Sequence, residues 1–98
     1  MEDYRGAILD YNKAIELNPN AATFYNRGTT KLKLEDYRGA ILDYDKAIEL
    51  NPNDAYAFNN RAGAKLYLND KNGACLDWSK AGELGLGDAY LYIKQYCN

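Results

Sequence analysis

Apolar side chains recur along this chain with a helical period, and nowhere with the period of two that half-buried strands require. Tyr37, Ala40, Ile41, Tyr44, Ala47 and Ile48 fall at i, i+3, i+4, i+7, i+10 and i+11. That is the stripe of an amphipathic helix, with Arg38, Asp45, Lys46 and Glu49 on its other side. Asp36 stands where an N-cap belongs, and Asn51–Pro52 ends the run because proline cannot continue it. Residues 21–34 carry Phe24, Gly28 and Leu32 along one side of a second helix. Small residues at Gly28 or Ala62, and at Ala40 or Ala74, allow paired helices to approach closely.

The pattern repeats. EDYRGAILDYNKAIELNPN at Glu2–Asn20 returns as EDYRGAILDYDKAIELNPN at Glu35–Asn53, changed only at Asn12 against Asp45. A drifted copy, NDKNGACLDWSKAGELGLG, starts at Asn69. The intervening stretches match as well, AATFYNRGTTKLKL against AYAFNNRAGAKLYL, 34 residues apart. The earlier interval is shorter, 33 residues, because one residue is missing just after Asn20, where the later interval has Asp54. A deletion there falls in a turn. A fixed period of this length is the mark of a repeat architecture.

Composition then narrows the chemistry. With 98 residues the chain is one domain with a modest core, and its 47% apolar content and ten tyrosines argue against disorder. A net charge of −2 without a local Lys/Arg cluster leaves no electrostatic footprint for nucleic acid. No apolar run approaches the roughly 20 residues that span a bilayer. The start, MEDYRGAILD, puts acids where an export signal carries bases, so neither signal peptide nor membrane anchor is expected. Histidine is absent, which excludes imidazole relays and imidazole metal sites, and two cysteines are too few for a Cys-only zinc site. GELGLGD at Gly82–Asp88 lacks the spacing of a phosphate loop, and its glycines are expected to stop one helix and begin the next. Asp10, Glu16, Asp43, Asp45 and Glu49 spread over helix faces instead of converging on a nucleophile. Neither catalysis nor a cofactor is expected.

In its period, in its two helices per unit, and in the strings FYNRGTTKLKLEDYRGAILDYDKAIELNP and AFNNRAGAKLYLNDKNGACLDWSKA, the chain resembles the tetratricopeptide repeat family. Residues 21–54 fill six of the family's eight signature positions: Phe24, Gly28, Ala40, Tyr44, Ala47 and Pro52. Residues 55–88 keep Phe58, Ala62, Ala74, Trp78 and Ala81 and depart at Arg61, Lys65 and Leu86. The resemblance implies one all-α domain over 1–98, an α-α superhelix of antiparallel helix pairs with about six helices. On that parse 2–20 is the second helix of an incomplete repeat, 21–54 and 55–88 are full repeats, and 89–98 is a closing helix. Arg27 and Lys31 replace the family's usual Leu and Tyr. With Arg61 and Lys65 they are expected to meet Asp43 and Asp77 across each pair, or to reach water past an apolar stem.

The family lines its concave surface with the first helix of each pair, which implies ligand-facing positions at Ala22, Tyr25, Asn26, Thr29 and Lys33. It implies the same for Tyr56, Asn59, Asn60, Gly63 and Tyr67, and for Tyr90 and Lys94 on the closing helix. The implied function is a protein-interaction module that holds an extended peptide or partner segment. Asn26 and Asn60 would clamp its main chain while the tyrosines supply rigid amphipathic area. The plainer alternative is that tyrosines at helical spacing pack against their neighbours. One subfamily grips the C-terminal carboxylates of heat-shock chaperones. Its clamp maps to Tyr25, Thr29, Asn60, Tyr90 and Lys94, of which only Asn60 and Lys94 keep a suitable donor. Chaperone-tail binding is therefore not expected.

The N-terminal helix lacks a pair partner, so part of its stripe (Tyr4, Ala7, Ile8, Tyr11, Ala14, Ile15) should be uncovered. Three readings stay open: a fragment of a longer array, self-association through Tyr4, Ile8, Tyr11 and Ile15, or exchange of the near-identical helices between protomers. A homo-oligomer is expected. A purely structural self-assembly module is the alternative function. Cys75 stands where the other copies have Ile8 and Ile41, the place of a small buried apolar side chain. A bond to Cys97 would pin the closing helix in an oxidising compartment. Without an export signal, reduced thiols and a cytoplasmic setting are expected.

Overall fold

A computed structural model describes residues 3–97, and all regular structure among them is helical. The helices are α1 (Tyr4–Leu17), α2 (Ala21–Lys33), α3 (Tyr37–Leu50), α4 (Ala55–Tyr67), α5 (Lys71–Glu83) and α6 (Ala89–Tyr96). Glu2, where the repeated string begins, lies outside the described residues.

Local chemistry sets the boundaries. The carboxylates of Asp3, Asp36 and Asp70 accept from the backbone N–H of Gly6, Gly39 and Gly73, which caps α1, α3 and α5 in the same way. Asn20 caps α2 by accepting from the N–H of Thr23, and Asp54 caps α4 by accepting from Tyr56 and Ala57. The turn before α2 is therefore one residue shorter than the turn before α4, and both keep a capping side chain. At the end of α2, Glu35 adopts φ 61°, and the N–H groups of Asp36 and Glu35 return to the carbonyls of Lys31 and Leu32. Asn69 (φ 66°) and Gly85 (φ 108°) end α4 and α5 with the same pair of bonds. Gly85 thus stops α5 as the GELGLGD string suggests.

The chain divides into two compact units, Met1–Pro52 and Asn53–Asn98. In the first, α2 and α3 form a hairpin that buries Phe24, Gly28 and Thr30 against Ala40, Asp43, Tyr44 and Ala47. Gly28 makes this closeness possible. A Cβ there would stand 3.1 Å from the Tyr44 ring, 3.2 Å from the Asp43 Cβ and 3.3 Å from the Ala40 carbonyl oxygen. α1 lies against α2 and buries none of its residues.

In the second unit, α4 and α5 pack Ala57, Phe58, Ala62 and Ala64 against Ala74, Asp77, Trp78, Ala81 and Gly82. α6 rests on α5 with Ala89 buried and the Tyr90 ring over Gly82. Cys75 and Cys97 form a disulfide, Cα–Cα 5.9 Å, which corrects the expectation of reduced thiols. Nor is Cys75 a fully buried apolar residue, being only half-buried. The cause is tertiary: α6 turns back along α5 and brings together two residues 22 apart in sequence.

Candidate partner-binding faces

Each hairpin is closed by a carboxylate and two cations. Arg27 donates to Asp43 through Nε (2.9 Å) and Nη2 (2.7 Å), and Lys31 Nζ lies 3.2 Å from Asp43 Oδ2. Arg61 repeats the fork on Asp77 at 2.8 Å and 2.8 Å, with Lys65 Nζ at 3.0 Å. The hydrogen bond with Asp43 raises the Arg27 pKa; burial opposes this and the Asp43 charge adds to it. The guanidinium planes of Arg27 and Arg61 also lie over the Phe24 and Phe58 rings, at 5.7 and 5.3 Å. These cations serve as structural closures of each pair, as the sequence suggests.

On the first unit, the expected ligand-facing residues divide. Asn26 is exposed, and its backbone carbonyl accepts from the Thr30 hydroxyl. Tyr25 is half-buried with its ring 5.7 Å from that of Tyr44, and Thr29 shares a 2.8 Å hydrogen bond with the Tyr44 hydroxyl. Both are largely committed to packing. Lys33 is exposed and sits 5.5 Å from the centre of the Tyr4 ring. Tyr4, Ile8, Tyr11 and Ile15 on α1 are all half-buried.

On the second unit, Tyr56, Tyr67 and Tyr90 are each more than half exposed. Lys94 is exposed, while Asn59 and Asn60 are half-buried. Asn59 Oδ1 is buried with no hydrogen-bond partner among the described residues. Gly63 and Tyr67 line a cavity of about 400 Å³ with Leu66, Trp78, Tyr92 and Tyr96. Tyr92 and Tyr96 stack nearly parallel to the Trp78 indole, with centroids at 5.4 and 5.6 Å. Nothing lies within 4 Å of the place a Cβ would take on Gly63, so α4 is bare where it borders the cavity.

The sequence reading reached Gly63 and Tyr67 and missed Leu66, Trp78, Tyr92 and Tyr96. Trp78 stands at a signature position of the repeat family, which by itself does not mark a ligand site. Tyr92 and Tyr96 stand a helical turn apart on α6, a spacing that could have marked them as one face. Tyr90 and Lys94, expected to face a ligand from the closing helix, do not line this cavity. Among the described residues no group of three or more His, Cys, Asp or Glu side chains is placed to hold a metal ion. No described helix is long and apolar enough to cross a membrane.

Three tetratricopeptide repeat models match this sequence, over residues 1–20, 21–54 and 43–76. The chain belongs to the tetratricopeptide repeat family. The structure agrees. It superposes on the first tetratricopeptide domain of Spaghetti (RPAP3) bound to HSP90 peptide SRMEEVD with a TM-score of 0.91 and 25% identity, over 96% of this chain and 77% of that one. The second such domain of human RPAP3, in complex with HSP70 peptide SGPTIEEVD, gives 0.89 and 28% over 97% and 82%. MamA gives 0.86 and 27% over 90% of this chain, which spans about half (53%) of that protein. Among curated proteins none matches the sequence. The fold is thus an all-α tetratricopeptide repeat fold of six helices among the described residues.

Proposed function

We propose that this tetratricopeptide chain is a non-enzymatic interaction module that binds an extended protein segment, and that the cavity of the second unit seats a large apolar side chain of it. The observation that carries this reading is the wall of Leu66, Tyr67, Trp78, Tyr92 and Tyr96 around about 400 Å³, open beside Gly63. Sites that bind small groups or side chains are concave and mostly apolar, with volumes of about 300–1,000 Å³. Tyr56, on the same unit as the cavity and 60% exposed, supplies a polar partner for a main chain. The two RPAP3 structures carry chaperone peptides, which supports the peptide class. Acidic tails suit this chain poorly, since Tyr25, Thr29 and Tyr90 put neutral hydroxyls where a carboxylate clamp relies on charged or amide donors. The disulfide favours an oxidising compartment over the cytoplasm first expected.

Peptides selected from a displayed random library against the intact chain test this. Selected sequences should carry Phe, Tyr, Trp, Leu or Met at one position and bind Gly63→Leu at least tenfold more weakly, with the helical circular dichroism unchanged. Unchanged affinity for Gly63→Leu overturns the reading.

A second reading, pairing through α1, is favoured by one observation. α1 buries no residue, whereas α3, with almost the same sequence, buries four. Size-exclusion chromatography with light scattering tests the homo-oligomeric form of this reading. A species of 11.1 kDa refutes it.

A further inference from the structure

α6 is held to α5 differently at its two ends. At its start Ala89 is fully buried and the Tyr90 ring lies over Gly82. The N–H groups of Ala89, Tyr90 and Leu91 there bond to the carbonyls of Leu86, Gly87 and Asp88. Beyond Ala89 no residue of α6 is buried. Its later half is fixed by the Tyr92 and Tyr96 rings stacked on the Trp78 indole, and by the covalent bond from Cys97 to Cys75. α6 is also the only described helix whose N-cap residue makes no side-chain cap bond, so it draws less stability from its own sequence than α1–α5 do. Two walls of the aromatic cavity therefore stand on the half of α6 that the disulfide secures. Tyr96 is the neighbour of Cys97, and Tyr92 lies one turn before Tyr96.

The sulfurs are not sealed. Cys75 and Cys97 are half-buried and line a recess of about 460 Å³ in which Asn72, Leu76 and Ser79 are exposed. This recess shares no residue with the aromatic cavity, so a reductant reaches the bond without entering the ligand's seat.

We propose that the Cys75–Cys97 disulfide is a redox switch on the aromatic cavity, which is assembled when the bond is closed and loses its α6 walls when a dithiol opens it. The inference rests on the reading of that cavity as the seat of a partner's apolar side chain, and adds what turns the seat on and off. One thiolate of the dithiol attacks one of the two sulfurs, and the other cysteine leaves as a thiolate. The dithiol's second thiolate then attacks its own sulfur in the mixed disulfide and releases the remaining cysteine. Two electrons and two protons have then reached Cys75 and Cys97, and the dithiol has become a disulfide. With the bond cut, the later half of α6 keeps only its ring stacking and has no buried side chain to hold it. The α4–α5 hairpin retains its own core and its Arg61–Asp77 pair, so the change is local. Apparent affinity falls in proportion to the fraction of chains whose walls are in place.

The test uses the intact chain and a cysteine-free peptide from the displayed library that loses affinity for Gly63→Leu. Excess dithiothreitol should weaken its binding by at least about tenfold, and reoxidation with oxidised glutathione should restore it. Cys97→Ser should bind as the reduced chain does, with or without dithiothreitol. In nuclear magnetic resonance spectra of the ligand-free chain, reduction should move the Tyr92 and Tyr96 ring signals toward those of free tyrosine as they leave the indole ring current. The amide signals of residues 55–62 should stay dispersed. If no selected peptide distinguishes Gly63→Leu, the seating reading falls and the switch falls with it. If Gly63→Leu weakens binding but the oxidised and reduced chains bind alike, the switch alone is overturned. Unmoved ring signals overturn it as well, as does loss of dispersion over residues 55–62, which makes the bond a requirement of the whole unit.

Discussion

Asp43→Ala removes the acceptor at the centre of the first hairpin, and the repeat supplies its own control. The Asp43 side chain is 4% exposed and holds three donors, the Arg27 fork at 2.9 and 2.7 Å and Lys31 at 3.2 Å. Truncation leaves two cations with 19% and 21% side-chain exposure and nothing to neutralise them. Breaking a buried ion pair from one side costs about 3–5 kcal/mol. Since a fifth of each cation still reaches water, the lower end applies, about 3 kcal/mol. With a urea m-value of about 1 kcal/mol/M for a chain this size, the unfolding midpoint should fall by about 3 M. Asp10→Ala changes the same residue in the same local sequence, but at a carboxylate that no cation of the described residues reaches. It should cost no more than about 0.5 kcal/mol. Urea titrations followed by far-ultraviolet circular dichroism measure both. Equal effects of the two substitutions, or an Asp43→Ala cost below about 1 kcal/mol, refute the claim that the paired cations, and not the helix sequence, make this carboxylate matter.

Other outcomes follow from the same geometry. Glu35→Gly should stabilise the chain by about 1 kcal/mol in the same titration, because a residue with a Cβ is held at φ 61° after α2. Reducing the Cys75–Cys97 bond releases a 22-residue separation and should cost about 3 kcal/mol on the chain-entropy estimate. It should also change the emission of Trp78, the one tryptophan, as Tyr92 and Tyr96 loosen from its indole, and two thiols should become titratable. Tyr44→Phe leaves Thr29 without its 2.8 Å partner and should lower stability by about 1 kcal/mol.

Much of this fold is local and was readable from residues alone. Asp36 and Asn51–Pro52 bound α3 because capping and proline chemistry act within a few residues. Arg27, Lys31 and Asp43 can be matched across the hairpin because the resemblance to the repeat family pairs these two helices, and Arg27 and Lys31 stand one turn apart. The cavity was not readable to the same degree. Tyr92 and Tyr96 meet Trp78 only because α6 folds back on α5, and the same fold-back joins Cys75 to Cys97. Nor does sequence tell which polar side chains remain available. Asn26 is exposed while Asn59 buries its carbonyl oxygen, although both stand on the first helix of a pair.

The clearest division between sequence and tertiary structure lies in α1 and α3. Thirteen shared residues of fourteen determined, by themselves, that both segments are helices of equal length with the same aspartate–glycine cap. Tertiary structure alone decided that one buries Ala40, Asp43, Tyr44 and Ala47 while the other leaves Ala7, Asp10, Tyr11 and Ala14 half-covered or open. Helix formation is governed by hydrogen bonds and caps that span three or four residues, whereas burial and charge neutralisation need a second surface. α2 brings Arg27, Gly28 and Lys31 to α3, where both cations meet the Asp43 carboxylate, whereas on α1 Arg27 meets the neutral amide of Asn12.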